Sequence, residues 1–504
     1  MSEKQTPAST VFRNPGVLEI NQKYKTQWAL QSAKDLLEWD LEVYLPPAGS
    51  SARGTVLAEV SLLMQKQMSD IYPMLDKLLD GDLNNYEKGD ARVLRRKRKY
   101  FTRIPPSLLE RKSKTAAEAT VAWRSARRNA DFRAFEPYLD KSIEIAREEA
   151  EKLGYEKHPY DALLDQYEEG FTVDDADAMY SRLVPELKGI LEKIQKQNSR
   201  FLEKSQLTTK SYGVPAMSEV NDRLIAMLGM PKDRFRVDIS THPFSQSMSR
   251  DDVRITTRYE GNDFKRALFS TIHESGHAIY ELQIDEKLEY SPIGTAVSFG
   301  FHESQSRFWE NVIGRSREFV SLLRPTLIEG LPFVSSFDDD QLYYYFNEVA
   351  PGVIRVDADE LTYNFHTALR YDIEKKAISG ELETSELPEI WNDTLEKYLG
   401  IRPANDAEGI LQDVHWSHGS FGYFPTYTLG NVIAGMIWHD IRRDLALNER
   451  IRTGDFAPIK RWLYEKIHRW GSTFAPKELA VKAFGRSVTP DDLIEYLKAK
   501  FIEL

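Results

Sequence analysis

The sequence predicts a mainly helical protein with one small β-sheet. Most segments of the 504-residue chain repeat apolar residues at spacings of three and four, the periodicity of an amphipathic helix. One stretch, residues 252–259, instead alternates apolar with polar residues and is rich in β-branched side chains. Apolar residues make up 41% of the chain and charged residues 29%, as in globular proteins that bury a large core.

The predicted helices fill the first half of the chain. Residues 17–43 have helical periodicity that ends at Pro46-Pro47-Ala48-Gly49, and a second helix is expected over about residues 52–79. Residues 107–153 are again helical. Thr172 is expected to cap the next helix, with Asp175 in the acidic position of a capping box. These helices are interpreted as scaffold and one wall of a cleft.

Residues 252–259 are predicted to form a strand that precedes the most informative helix of the chain. A free edge on this strand could pair with an extended peptide. His242 lies just before it, in a serine-rich loop.

The segment from Thr271 to Tyr280 contains His-Glu-x-x-His. Residues four apart lie on one face of a helix, so His273 and His277 can present their imidazoles to a single metal ion. Glu274 is rotated by about 100° from His273, which would place its carboxylate beside a water rather than on the metal. This arrangement is typical of a zinc hydrolase. A helix with two ordinary histidines is the alternative.

A third ligand is expected a few tens of residues further along. The segment from Gly300 to Glu310 supplies one at the start of another helix, and Glu303 is the predicted ligand. The chain has no cysteine, so a metal must take nitrogen and oxygen donors. Glu310 is interpreted as ordinary helix surface, since it stands between Trp309 and Asn311. His302 is disfavoured because adjacent helical side chains point about 100° apart.

Three later clusters are candidates for further functional residues. Arg355 stands among carboxylates, His415 follows Gln412-Asp413, and a loop of glycines and phenols contains Tyr423 and Tyr427. Each has a purely structural alternative: Arg355 could be an ion-pair partner and Tyr427 a packed aromatic side chain.

Net charge and hydropathy limit the other classes of function. The net charge of −11 argues against a general nucleic-acid binder. No apolar run is long enough to cross a bilayer, and the polar residues 1–12 lack the apolar core of a secretory signal. Residues 1–12 are therefore expected to be a disordered leader, and a cytoplasmic location is the default expectation.

The ordered motifs of the chain resemble those of the M32 family of metallocarboxypeptidases over most of its length. The resembling motifs are His242-Pro243-Phe244, the Asp252, Arg254 and Thr256 pattern, the His273 motif, His302-Glu303-Ser304-Gln305, Ile354-Arg355 with Ala358-Asp359, and the Gly409, Gln412-Asp413, His415-Trp416 pattern.

The resemblance implies a large, nearly all-helical zincin fold, with a deep central groove and a small sheet beside the metal site. It implies one catalytic domain over residues 13–504, built as two helical halves around a cleft, and a homodimer. The implied activity is the removal of single C-terminal residues, with broad specificity, from peptides that have a free terminal carboxylate. One divalent metal per subunit is implied, zinc or cobalt.

The resemblance also assigns roles to individual residues. The metal ligands fall on His273, His277 and Glu303, the general base on Glu274, and the arginine that receives the terminal carboxylate on Arg355. The donor to the oxyanion is left open among four side chains, of which Tyr427 is favoured: Tyr427, Tyr423, His242 and His415. Arg254 and His415 are further candidates for substrate binding.

Two other functions remain compatible with the residues alone. A zinc endopeptidase or aminopeptidase would share the metal site and differ only in the groups that bind the peptide terminus. A helical binding protein with a vestigial metal site is the second alternative, although such a site would have no need of Glu274.

Overall fold

The computed structural model describes residues 11–502, except for the side chain of Asp80, and it is mainly helical, as the sequence predicts. Residues 1–10 of the predicted leader lie outside the described residues. Phe12 is only 1% exposed, so buried packing begins before residue 13.

The α-helices of the described chain follow one another with short connections. They are α1 (Pro15–Val43), α2 (Ser50–Ile71), α3 (Asn85–Arg103), α4 (Pro106–Asn129), α5 (Phe132–Leu153), α6 (Pro159–Tyr167), α7 (Val173–Lys196), α8 (Val214–Met227), α9 (Lys265–Leu282), α10 (Phe299–Arg307), α11 (Arg317–Gly330), α12 (Asp339–Phe346), α13 (Tyr363–Ser379), α14 (Leu387–Leu399), α15 (Phe424–Asp444), α16 (Leu447–Thr453), α17 (Ala457–Lys466), α18 (Pro476–Phe484) and α19 (Asp491–Phe501).

Local sequence chemistry accounts for where several helices begin. The Asn14 side chain accepts hydrogen bonds from the first turn of α1, and proline follows at the first helical position, where its fixed φ suits the helix. The predicted capping box of α7 is present: the Thr172 hydroxyl accepts from the Asp175 backbone, and the Asp175 carboxylate accepts from the Thr172 backbone. Such caps satisfy backbone groups that a helix end would otherwise leave unpaired.

The small sheet has three strands, β1 (Phe235–Ile239), β2 (Ser245–Ser249) and β3 (Asp252–Thr257). Their order is β1-β3-β2, with β1 parallel and β2 antiparallel to β3. The predicted strand at residues 252–259 is therefore present, but the expectation that it offers a free edge is wrong. β1 pairs with one side of β3, and β2, which is joined to β3 by a tight hairpin, pairs with the other side. The central strand is therefore β3, and β2 is an edge strand.

The sheet packs beside α9. The Thr271 hydroxyl on α9 lies 3.1 Å from the Thr257 hydroxyl at the end of β3. Val253 and Ile255 of β3 are fully buried, so this strand is part of the core that supports α9. The predicted position of the small sheet, next to the helix with the histidine pair, is confirmed.

The described residues form two compact units, the first from residues 11–98, 204–346 and 437–488, the second from residues 99–203, 347–436 and 489–502. The first contains the sheet, α9 and α10. The second contains α13, on which 13 of the 17 residues are buried. The single catalytic domain and the central groove stay predictions.

No helix among residues 11–502 combines the length and the apolar character that crossing a membrane requires.

Candidate active site

Helix α9, in the first unit, positions three of the predicted site residues. His273 and His277 lie one turn apart on it, with ring centroids 5.0 Å apart. Glu274 is on the same helix and only 7% exposed. Most residues of α9 are buried, so its backbone is held on several sides and these side chains have little freedom.

Gly276, inside the motif, allows a second helix to approach α9 closely. A Cβ atom at this position would lie 2.7 Å from the carbonyl oxygen of Gln305 and 2.7 Å from Cα of Ser306, both on α10. A side chain here would push the backbones apart. Glycine at this position therefore lets α10 bring Glu303 up to the histidines.

The three predicted metal ligands converge. Glu303 Oε2 lies 3.6 Å from His273 Nε2 and 3.4 Å from His277 Nε2. One donor atom from each of the three residues lies within 4.8 Å of the others. Tetrahedral ligands about 2.1 Å from a zinc ion stand roughly 3.4 Å apart, so the observed separations fit such an ion.

Glu310 holds the ring nitrogen of His273 that points away from the cluster. Its interpretation as ordinary helix surface is therefore wrong. Glu310 is 8% exposed, and its Oε2 lies 2.9 Å from His273 Nδ1. It lies seven residues after Glu303, in the π-helical segment Phe308–Gly314 that continues α10. Arg315 donates to its Oε1 at 2.8 Å. A carboxylate on Nδ1 leaves Nε2 of His273 with its lone pair towards the cluster.

Arg307 links the two glutamates, because its Nε donates to Glu303 Oε1 at 2.7 Å and its Nη1 lies 3.4 Å from Glu310 Oε2. Burial alone would raise the pKa of Glu303, but Arg307 and the two histidines hold that pKa well below its usual range. Glu303 is thus ionised, as a metal ligand must be.

For two other side chains of the cluster, burial outweighs the neighbouring charges and favours the neutral form. It raises the pKa of Glu274 to about 7, because His273 and His302 offset only part of the desolvation. Burial and the neighbouring His302 lower the pKa of His277 to about 3, so that its ring is neutral. A neutral imidazole can bind a metal, and a carboxyl group that titrates near neutrality can exchange protons with water.

A second cluster lies in the other unit, around Arg355. This side chain is buried, and its Nε and Nη2 donate to Asp413 Oδ1 at 3.0 and 2.9 Å. Its Nη1 donates to the Tyr363 hydroxyl at 2.9 Å. Arg370 of α13 donates from Nε to the other Asp413 oxygen at 2.6 Å. One carboxylate therefore holds two guanidinium groups.

Aromatic side chains surround this second cluster. The Arg355 guanidinium lies 5.3 Å from the Tyr427 ring centroid. Tyr427 packs edge-on against Tyr423 at 5.1 Å, and the Tyr423 ring lies 5.6 Å from that of His415. Burial lowers the pKa of His415 to about 4. Four predicted site residues, Arg355, His415, Tyr423 and Tyr427, are thus brought together in the second unit.

His242 and Arg254 belong to the sheet region of the first unit. The His242 side chain is exposed, in the connection between β1 and β2. Arg254, on the central strand β3, donates from Nε and Nη2 to the Asp252 carboxylate at 2.7 and 2.8 Å. Their catalytic or substrate-binding roles stay predictions.

The residue-level reasoning missed the partners that hold these side chains. Helical spacing from Glu303 could have found Glu310. The pairing of Arg355 and Arg370 with Asp413 has no local pattern, because 58 and 43 residues separate the partners.

Comparison with known proteins gives a consistent result. The family model for "Carboxypeptidase Taq (M32) metallopeptidase" matches residues 19–501. The chain is 45% identical to thermostable carboxypeptidase 1 of Pyrococcus furiosus over 98% of this chain and 99% of that protein. It is 34% identical to thermostable carboxypeptidase 1 of Thermus thermophilus over 94% of this chain and 96% of that protein. The solved apo-Mg structure of the Pyrococcus furiosus carboxypeptidase superposes with a TM-score of 0.96 at 45% identity, covering 98% of this chain and 100% of that one.

Proposed function

This chain belongs to the M32 family and is an M32 metallocarboxypeptidase, and we propose that it hydrolyses the last peptide bond of peptides with a free C-terminal carboxylate, with broad specificity. The observation that carries this proposal is the convergence of His273, His277 and Glu303 beside the buried carboxyl group of Glu274. Two histidines and one carboxylate leave a coordination position open, as catalytic zinc sites do.

The proposed ligands of a divalent metal are Nε2 of His273 and His277 and Oε2 of Glu303. Two imidazoles and a carboxylate are the donor set of many catalytic zinc sites, and Co²⁺ takes the same donors. When bound, such an ion would lower the pKa of a coordinated water to about 7 and polarise a carbonyl group.

Glu274 is proposed as the general base. Its carboxylate takes a proton from the attacking water and later gives that proton to the nitrogen of the leaving amino acid. Its buried position, which raises its pKa to about 7, suits both transfers near neutral pH. Because this side chain is only 7% exposed, bulk water has little access to the proton that it carries between the two transfers.

Arg355 is proposed to bind the terminal carboxylate of the peptide. A guanidinium group has five N–H donors, and three of those of Arg355 are used by Asp413 and Tyr363. These three hydrogen bonds leave one further N–H group on each Nη. Two parallel donors match a carboxylate in a bidentate pair, which would restrict cleavage to the end of the chain.

The donor to the oxyanion is proposed to be Tyr427, with Tyr423, His415 and His242 as the other candidates. A phenol hydroxyl is a good donor to a developing negative charge, and losing one such donor lowers transition-state stabilisation by about 3–4 kcal/mol. Arg254 is proposed to contact substrate through the donors that Asp252 does not use.

The active protein is proposed to be a homodimer.

One N-blocked peptide in two forms, free acid and C-terminal amide, tests the proposed function. We expect stepwise loss of single residues from the acid only, abolished by a chelator and restored by zinc or cobalt. Equal internal cleavage of both forms would contradict the proposal and identify an endopeptidase. Product masses read with and without chelator distinguish the two outcomes.

A further inference from the structure

A pocket of about 630 Å³ lies in the first unit between α1 and β2. One face of α1 lines it, from Tyr24 to Asp35, at helical spacings of three and four. The opposite wall includes β2 and His302. Pockets of about 300–1,000 Å³ are the usual size for bound small molecules and short peptide segments.

The edge strand β2 offers backbone groups on this side. Thr256 N donates to Phe244 O, which identifies Phe244 and Thr256 as a hydrogen-bonded antiparallel pair. Pairs alternate along such a ladder, so the N–H and C=O groups of Ser245 and Ser247 point away from β3. An extended peptide can pair with them as an added strand.

One side chain of the pocket wall contacts the candidate metal centre. His302, in its wall, stacks on the proposed ligand His277, with ring centroids 4.5 Å apart and planes 21° apart. Glu281, also in the wall, holds His302 through its Nε2 at 3.0 Å. The pocket therefore lies next to the metal centre, on a side to which the preceding residues of a bound peptide would extend.

Carboxylates outnumber cations in the wall. The carboxylates are those of Asp35, Glu281, Asp285 and Glu289, and the permanent cations are those of Lys97 and Arg250. Arg250 Nη1 lies 3.7 Å from the Asp251 carboxylate and 3.9 Å from the Glu286 carboxylate. These two carboxylates are not part of the pocket lining, so the charge of Arg250 is partly used outside the pocket. The pocket thus has a surplus of negative charge.

Asp35 and Glu289 carry this surplus. Neither forms an ion pair with any described residue, and both are half-buried. Burial raises the pKa of Asp35 to about 6, and the Gln31 side chain, which donates to it, offsets only part of that effect. Burial also raises the pKa of Glu289. Lys34 offsets part of the effect at Asp35, and Arg250 and Lys25 offset part of it at Glu289. Half-buried carboxylates whose charge is only partly offset are sites that a cationic ligand would stabilise.

Two further side chains on the α1 wall point to a ligand. Gln27 is 9% exposed, and its amide oxygen is buried without a hydrogen-bond partner. An unsatisfied buried acceptor is unfavourable, so a ligand whose donor reached this oxygen would be stabilised. Trp28 adds an aromatic ring, which attracts cations through its π-face.

We propose that this pocket binds the residues that precede the scissile bond and that Asp35 and Glu289 select a cationic group there. The cationic group is an ammonium or guanidinium, supplied by a lysine or arginine side chain or by the free amino terminus of a short peptide. The inference rests on the proposed carboxypeptidase function and deepens it by defining the preferred substrate class.

Four tetrapeptide acids test the inference: the penultimate residue is lysine or its neutral isostere norleucine, and the amino terminus is free or acetylated. We expect kcat/KM for the cationic peptides to exceed that of the acetylated norleucine peptide by about fivefold, the scale of a partly exposed charge pair. A gain that follows lysine identifies the side chain as the source, and a gain that follows the free terminus identifies the amine.

The variants Asp35→Asn and Glu289→Gln, singly and together, should reduce this preference while the acetylated norleucine peptide is cleaved as before. Glu42→Gln, an exposed carboxylate on α1 outside the pocket, is the matched control and should keep the preference. Equal cleavage of all four peptides, or a preference that survives the double variant, would overturn the inference alone. Failure to cleave any of the four would overturn the proposed function as well.

Discussion

The candidate metal centre and the arginine cluster have opposite charge surpluses. The metal centre gathers three carboxylates, Glu274, Glu303 and Glu310, against two guanidinium groups, those of Arg307 and Arg315. The arginine cluster gathers two guanidinium groups around the carboxylate of Asp413.

The opposite surpluses indicate opposite ligands. An uncompensated buried charge is unfavourable, so each cluster is stabilised by a ligand of the other sign. A divalent cation suits the metal centre, and the terminal carboxylate of a peptide suits the arginine cluster. The comparison therefore predicts that substitutions in the two clusters affect different steps of the reaction.

The largest effect is expected from Glu274→Gln. This change keeps the size of the side chain and removes the proton acceptor, so kcat should fall about a thousandfold. Metal content should stay at one ion per subunit, because Glu274 is not a proposed ligand. The measurements are kcat on the free-acid peptide and metal analysis of the same preparation; activity near the wild-type level would rule out Glu274 as the base.

The next largest effect is expected from Glu310→Gln, which weakens the hold on His273 Nδ1. Loss of such a supporting carboxylate typically lowers metal affinity or activity about 10–100-fold. Titration of the metal-free protein with zinc checks this, with Glu59→Gln on α2, an exposed residue, as control. An unchanged zinc affinity would show that Glu310 does not support metal binding.

Arg355→Lys should act on the other cluster. Lysine keeps the positive charge but loses the two parallel donors, so KM for the free-acid peptide should rise about tenfold or more. A variant with unchanged KM would show that the terminal carboxylate binds elsewhere.

Gly276→Ala should loosen the metal centre through its backbone. The added methyl group meets the backbone of α10 at 2.7 Å, and such overpacking costs about 1–3 kcal/mol of the free energy of unfolding. Gly189→Ala on α7 is the matched control, because its Cβ would meet nothing within 4 Å and alanine favours a helix by about 1 kcal/mol. Denaturant unfolding of both variants measures the difference; equal stability changes would contradict the close packing at Gly276.

The last prediction concerns pH and the second unit. Glu374 is fully buried and accepts hydrogen bonds from Tyr160, Trp416 and the Gly422 backbone. Burial outweighs these bonds and raises its pKa to about 7.

Because the folded pKa lies above the unfolded value of about 4.3, the unfolded chain releases this proton first as pH rises. The stabilising contribution is therefore complete below about pH 4.3 and is lost as pH rises to about 7. Unfolding free energies of wild type and Glu374→Gln at pH 5 and pH 8 check this: the wild type should lose more between the two. An equal loss would contradict the raised pKa.

The elements predicted correctly are those set by local spacing. Helical periodicity gave the fold class, Thr172 and Asp175 gave the start of α7, and four-residue spacing placed His273 and His277 on one face. For these elements, neighbours in sequence decide the outcome. Glu303 was identified by its place at the start of a further predicted helix and by the resemblance of His302-Glu303-Ser304-Gln305 to the family motif.

The elements missed depend on contacts between distant residues or on topology. β3 was expected to have a free edge, but strand order depends on how β1 returns beside it, which no local pattern reports. Asp413 binds arginines 43 and 58 residues away. Glu310 was misjudged from its neighbours Trp309 and Asn311, although its side chain is buried against His273.

The most direct test of the two-cluster account is the hydrolysis of the peptide acid by Arg355→Lys, with zinc content measured on the same sample. The account predicts a full complement of zinc, a kcat close to that of the wild type at saturating peptide, and a raised KM. Loss of zinc with an unchanged KM would contradict it, because the arginine cluster would then serve the metal rather than the peptide carboxylate.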